Sequence, residues 1–305
     1  MDGAGLAVWG RFANFAVAFS TNTLFYMATE ATSGLIGMIR NGQRMTRGQK
    51  LKLTLQLSTP AIMAQVSNVA MQYIDTSMVG RLGAESSAAI GIVATTIWLL
   101  SGVSSAIATG FAVQVAHQIG ANDHAKARQV LRQALVVCAL AGIALAALGC
   151  AISQRLPQWL GGEPEVCRMA SEYFLIYSIC LPVIVLNFLG AAMLRCSGNM
   201  KVPSLMNAAM CLLDVVFNYL LIYPASSHSV LGTEISVPGA GLGVAGASLG
   251  TALATVVTCA VMLCYLCRRS RELSLADTHG SYRPQWWCVG RALKIGFPMG
   301  MQFIV

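Results

Sequence analysis

Asp75 and Asp214 are the only two of the twelve acidic residues that lie well inside long apolar segments of this 305-residue chain. An ionised carboxylate costs several kcal/mol in hydrocarbon, so it persists there where it pairs, binds a cation or takes up a proton. Each stands on a polar stripe. In one segment Ser58, Gln65, Asn68, Gln72 and Asp75 are spaced 7, 3, 4 and 3, which is one face of a helix. In another, Asn207, Cys211, Asp214 and Asn218 are spaced 4, 3 and 4, and in a third Ser248, Thr251, Thr255 and Thr258 are spaced 3, 4 and 3. Stripes of amides and hydroxyls commonly serve hydrogen bonding between helices, at less than about 2 kcal/mol per contact. The two carboxyls leave two readings open: reversible neutralisation by a proton or cation, or a standing protonated Asp that hydrogen-bonds a neighbouring helix.

No other chemistry competes. There is no HExxH, no Walker A sequence and no nucleophile elbow, so neither metal hydrolysis, ATP drive nor acyl transfer has a motif. Cys264 and Cys267 form a CxxC without a second pair at zinc-finger spacing, and most of the ten cysteines sit in apolar segments as small fillers. The expectation is a chain that is not an enzyme, with no resident metal or cofactor.

The elements that must position these residues follow from composition. The chain is 56% hydrophobic and 10% charged, against roughly 25% charged for a soluble domain, which excludes a disordered chain, a disulfide scaffold and a soluble nucleic-acid binder. Charge-free runs cover Ser86–Asn122, Gln133–Gln154, Tyr173–Leu194 and Ile235–Cys267. About 20 apolar residues carry a helix across the hydrocarbon core. With the two segments that hold Asp75 and Asp214, six spans are expected, at 54–79, 87–116, 133–153, 172–194, 203–223 and 239–266. The predicted fold class is all-α, a polytopic six-helix transmembrane bundle in the lipid bilayer of the cell (inner) membrane. β-Barrel strands are shorter and alternate with period two, unlike these runs.

Of the basic residues, 16 fall on one side of a six-span arrangement and 3 on the other, so both ends of the six-span unit are expected in the cytoplasm. The net charge of +8 is then a topology signal rather than a nucleic-acid surface. Single cysteines introduced as Ala125→Cys, Asn199→Cys and Gly280→Cys in a cysteine-free background are expected to resist impermeant thiol reagents applied outside intact cells. Ready labelling at any of them contradicts this orientation.

Residues 1–45 read as an N-terminal extension, with Met45 a plausible cytoplasmic start; an interfacial helix is the alternative. Leu55-Gln-Leu-Ser-Thr-Pro60 and Leu293-Lys-Ile-Gly-Phe-Pro298 share the pattern Leu-x-aliphatic-small-x-Pro after a basic stretch, at an offset of 238 residues. An even number of spans between them implies a parallel repeat about an axis along the membrane normal. The expected organisation is a six-helix lobe over 46–267, a cytoplasmic linker over 268–291 and the truncated start of a second lobe over 292–305, the remainder of which is expected in the full-length chain.

Several ordered motifs carry a family resemblance. Ile74-Asp-Thr-Ser-Met-Val-Gly80 with Leu82-Gly83, Gly110-Phe-Ala-Val-Gln-Val-Ala116 with Ile119-Gly-Ala121, Arg195-Cys-Ser-Gly-Asn-Met-Lys-Val-Pro203 and Gly241-Leu-Gly-Val-Ala-Gly-Ala247 resemble segments of the multidrug and toxic compound extrusion (MATE) family. The resemblance implies half of a twelve-helix, two-lobe transporter that exports cationic, amphipathic small molecules in antiport with H+ or Na+. It implies coupling roles for Asp75 and Thr251. One branch of the family carries Asn, then Asp one turn later, on the fifth helix; here Asp214 precedes Asn218. With Gln65, Asn68, Gln72, Asn207 and Thr255 as cavity-lining candidates, the expected site is Asp75, Asp214, Asn218 and Thr251. A lipid-linked sugar flippase of related architecture is the rival reading, and such a flippase should carry a strongly basic cavity, whereas the spans hold no interior Lys or Arg. A membrane receptor or a non-functional fragment is the other alternative.

Overall fold

The computed structural model describes residues 46–230, 233–270, 272–275 and 285–301, so the expectations for 1–45 lie outside the described residues. The chain divides into two compact units, Met1–Val69 and Ala70–Val305. The described part of the first is the opening stretch of helix α1, Arg47–Gly80. A capping box starts it: Gln49 N–H donates to Thr46 Oγ1 at 3.4 Å, and Gln49 Oε1 accepts from Thr46 N–H at 2.9 Å.

The second unit begins within α1 and continues through α2 (Ala84–Gly120), α3 (His124–Ile152), α4 (Pro164–Cys196), α5 (Lys201–Ile222), α6 (Gly243–Arg269) and α7 (Trp286–Met301). A single helical turn, Leu156–Trp159, links α3 to α4. Helices α2 to α6 are long and apolar enough to cross a membrane. With 34 residues α1 has the length, and its polar stripe of Gln65, Asn68, Gln72 and Asp75 lowers its hydropathy. The helices overrun the apolar spans at most ends because charged and amide residues continue the hydrogen-bond ladder into the interface.

Chain breaks follow local chemistry. Gly83, at φ 122°, turns α1 into α2 in a backbone region that disfavours other residues. Asp123 caps α3 by accepting from Lys126 N–H at 3.0 Å, and its carboxylate pairs with the Lys126 ammonium at 2.9 Å. The ammonium and backbone N–H hold this carboxyl below its ordinary range. Its contribution is therefore complete above the ordinary carboxylate pKa and is lost as pH falls through the depressed value. Pro164 and Pro203 stand in the first turns of α4 and α5, where a missing N–H costs nothing.

One sequence expectation is corrected. The sixth span was expected from residue 239, but α6 begins at Gly243 because Pro238 and Gly239 lie in a two-stranded antiparallel hairpin, β1 (Pro224–Val230) with β2 (Thr233–Ala240), and Gly241 takes φ 64°.

The central helix is α4, packed against α2, α3 and α6. Phe111, Leu131, Leu189, Met193, Leu194 and Leu266 are fully buried in the main apolar cluster, with Phe174 and Leu181 in a second. Small residues close the helix seams: a Cβ on Gly142 of α3 would lie 2.6 Å from Pro182 Cα of α4. Pro182 sits inside a continuous α4, and Gly190 faces Met262 and Leu263 of α6. The two copies of the Leu-to-Pro pattern occupy equivalent places, Pro60 thirteen residues after the start of α1 at Arg47 and Pro298 twelve after the start of α7 at Trp286.

Candidate functional site: a buried carboxylate pair

Asp75, Asp214 and Asn218 meet where the C-terminal part of α1 touches α5. Asn218 Nδ2 donates one hydrogen to Asp75 Oδ1 at 3.0 Å and the other to Asp214 Oδ2 at 3.1 Å. A single amide thus bridges two carboxyl groups whose residues lie 143 positions apart in sequence for Asp75 and four apart for Asp214. Asp214 and Asn218 are fully buried and Asp75 is half-buried. The one-turn spacing of Asp214 and Asn218 on α5 puts both on the face that meets α1.

The cluster is rich in oxygen and short of donors. Asp214 Oδ1 and Asn218 Oδ1 are buried without a hydrogen-bond partner. Thr251 of α6 faces the Asp214 carboxyl. Its hydroxyl lies 3.2 Å from Ala247 O of its own helix and within hydrogen-bonding reach of the Asp214 carboxyl, so one hydrogen serves two acceptors. Two carboxylates drawn together out of water repel unless a proton or a cation compensates them. What such an arrangement does chemically is hold a proton between two acids or coordinate a small hard cation through oxygens.

Some of the expected lining residues do not join. Thr255 is buried, yet its hydroxyl donates to Thr251 O at 2.7 Å and is spent on its own helix. Asn207 is half-buried two turns before Asp214 on α5. Gln72 is exposed, as is Gln65 in the first unit, and the Asn68 side chain lies outside the described residues.

Three residues that composition and spacing did not single out shape the site. Gly250 of α6 sits directly over Asn218: a Cβ there would collide with the Asn218 side chain and lie 2.9 Å from its backbone nitrogen. One turn earlier a Cβ on Gly246 would lie 2.5 Å from Leu221 O. The Gly246-x-x-x-Gly250 spacing was the available signal, a small-residue seam that lets α5 and α6 backbones touch. Tyr173 of α4 stands near both carboxyls, and Ser248 Oγ fixes its backbone by donating to Tyr173 O at 3.0 Å. Beyond the site toward the C-terminal ends of both helices, Tyr223 O–H donates to Met78 O at 2.9 Å, tying the end of α5 to α1 beside an apolar cluster of Met78, Val79, Ile222 and Ala247.

The MatE family profile matches residues 60–220, more than half of the sequence. The chain belongs to the MatE family. The relatives of this MatE chain include a probable multidrug resistance protein NorM of Idiomarina loihiensis, 29% identical over 259 residues, which cover 84% of this chain and 52% of the relative. An FAD transporter of Shewanella oneidensis is 22% identical over 172 residues, 56% of this chain and 38% of the relative. Among solved structures, a MOP superfamily transporter from Pyrococcus furiosus superposes with a TM-score of 0.73 at 22% identity, over 86% of this chain and 56% of that one. An outward-facing multidrug resistance MATE family transporter superposes with a TM-score of 0.72 at 22% identity, over the same shares. This MatE chain spans about half the length of the curated relatives it matches. It is a helical, multi-pass membrane protein with the fold of these transporters.

Proposed function

We propose that this MatE chain carries the ion-coupling lobe of a secondary active efflux transporter that exports cationic or amphipathic small molecules in antiport with H+ or Na+. The observation that carries the reading is the single Asn218 amide bridging Asp75 and Asp214, with the buried Asp214 Oδ1 left over for a proton or cation. In this reading the exposed Gln72 of α1 lines a cavity completed by the rest of the full-length protein.

The chain's own residues account for the coupling. An ion entering from outside neutralises the Asp75–Asp214 pair. Asn218 then loses one or both of its charged acceptors, and the contact of α1 with α5 weakens or shifts. A shift between two packings of α1 biases the lobe between outward-facing and inward-facing states. Each charge moved inward gains about 2.3 kcal/mol per 100 mV of membrane potential. Substrate and ion need not touch, since both act on the same two-state packing.

The order of Asp214 and Asn218 gives a test. The swap Asp214→Asn with Asn218→Asp keeps one acid and one amide within about 6 Å of their places on a helix face. It is expected to retain partial ion-driven efflux in the full-length protein, whereas Asp214→Asn alone loses most of it. Efflux against pH and sodium gradients at matched expression reads this. If the single variant exports as the parent does, the carboxylate is structural and the proposal fails; if the swap is as inactive as the single variant, interchangeable positions are excluded.

A further inference from the structure

We propose that the groove between α2, α3 and α7 binds an anionic phospholipid of the cytoplasmic leaflet. The seam beside it is tight: a Cβ on Gly296 would lie 2.6 Å from Ala106 O, and one on Gly110 would run into Ala292 O. Alongside, the three helices enclose a cavity of about 510 Å³ walled by residues that include Val103 and Phe111 of α2, Val137 and Ala141 of α3, and Leu293 and Phe297 of α7. No lining side chain carries a charge or a hydrogen-bonding group. Along α7 the groove runs from Val289 to Met301, about 18 Å at 1.5 Å per residue. One leaflet of a hydrocarbon core about 30 Å thick is about 15 Å deep, so the groove matches a lipid tail in depth.

Its mouth decides which lipid. The start of α7 follows a segment that the basic-residue bias assigns to the cytoplasm. Trp286 and Trp287 are 88% and 53% exposed there. The Arg291 guanidinium lies 5.5 Å from the centroid of the Trp287 ring, and Lys294 is exposed one turn on. Trp287, Arg291 and Lys294 are spaced 4 and 3 and form one flank of α7, while Trp286, Val289 and Leu293, spaced 3 and 4, continue the groove side. Among the described residues neither cation pairs with a carboxylate. Tryptophans at the interface hold the depth of the helix end, and two unpaired cations beside an apolar slot one leaflet deep complement a negative headgroup with its tail in the slot. A zwitterionic lipid fits the slot but forgoes the charge.

The test uses the full-length protein in detergent, loaded with phosphatidylglycerol or phosphatidylcholine of the same acyl chains and read by native mass spectrometry. The parent is expected to retain phosphatidylglycerol about 25-fold over phosphatidylcholine. Each cation contributes about fivefold, so Arg291→Gln with Lys294→Gln is expected to lower phosphatidylglycerol retention by about 25-fold and leave phosphatidylcholine unchanged. Ala141→Phe, which fills the slot, is expected to lower retention of both. Equal retention of the two lipids by the parent overturns the proposal without any variant. So does the absence of any retained lipid, which is the result if another part of the full-length chain fills the groove. A monodisperse Arg291→Gln/Lys294→Gln variant that keeps its phosphatidylglycerol, or an Ala141→Phe variant that keeps both lipids, overturns it equally.

Discussion

Asp75→Asn in the full-length protein is expected to leave membrane abundance unchanged and to abolish ion-driven efflux of a cationic dye. The side chain keeps its shape, so the packing of α1 on α5 has no cavity to absorb. What changes is the acceptor of the Asn218 amide. Asn218 Nδ2 now donates at 3.0 Å to Asp75 Oδ1, and a hydrogen bond to a charged acceptor contributes about 1.5–3 kcal/mol against about 1 kcal/mol for a neutral one. More important, the variant cannot change charge, so ion binding no longer distinguishes two packings of α1. Coupling free energies of 1–3 kcal/mol correspond to about 5- to 150-fold, and a loss of at least tenfold is expected in gradient-driven export at matched expression. Normal export by a normally abundant variant removes Asp75 from the coupling.

Gly250→Val is expected to damage the same site from the opposite side. A Cβ at Gly250 already meets the Asn218 side chain and backbone, so a branched side chain must push α6 from α5 or turn Asn218 away from one carboxyl. Overpacking of this kind costs about 1–3 kcal/mol, and the loss of the bridge removes transport as well. Gly91 of α2 is the control, because a Cβ there would meet nothing within 4 Å. Gly91→Ala is expected to be neutral or stabilising by about 0.5–1 kcal/mol. Thermal unfolding in detergent with dye efflux on the same preparations separates the two. Equal melting temperatures for Gly250→Val and the parent contradict the close-contact account.

The candidate site was legible in the sequence to the extent that it is helical. Asp214 and Asn218 stand four apart, and a helix of period 3.6 puts them on one face whatever surrounds them. Asp75 was legible as a carboxylate with no reason to sit in an apolar run, and Thr251 through its stripe. Which residues meet was not local information. Asn218 reaches Asp75 across 143 residues, and only the packing of α5 on α1 and α6 sets that distance. Gly250 is silent in hydropathy and periodicity because its contribution is the absence of a side chain. Thr255 shows the limit of stripes: its hydroxyl turned to Thr251 O at 2.7 Å, a satisfaction within its own helix that spacing does not reveal. The start of α6 was misplaced for a similar reason, since apolar content continues through Pro238 and Gly239 while the backbone leaves the helix.

The most direct measurement is ion release on substrate binding. In the purified full-length protein, a cationic substrate is expected to displace protons, read in weakly buffered solution, or bound radioactive sodium, read by filtration. The doubly neutralised variant, Asp75→Asn with Asp214→Asn, is expected to bind the same substrate and release neither. Release of protons or sodium by that variant at the parent's level would contradict the assignment of coupling to the Asp75–Asn218–Asp214 bridge.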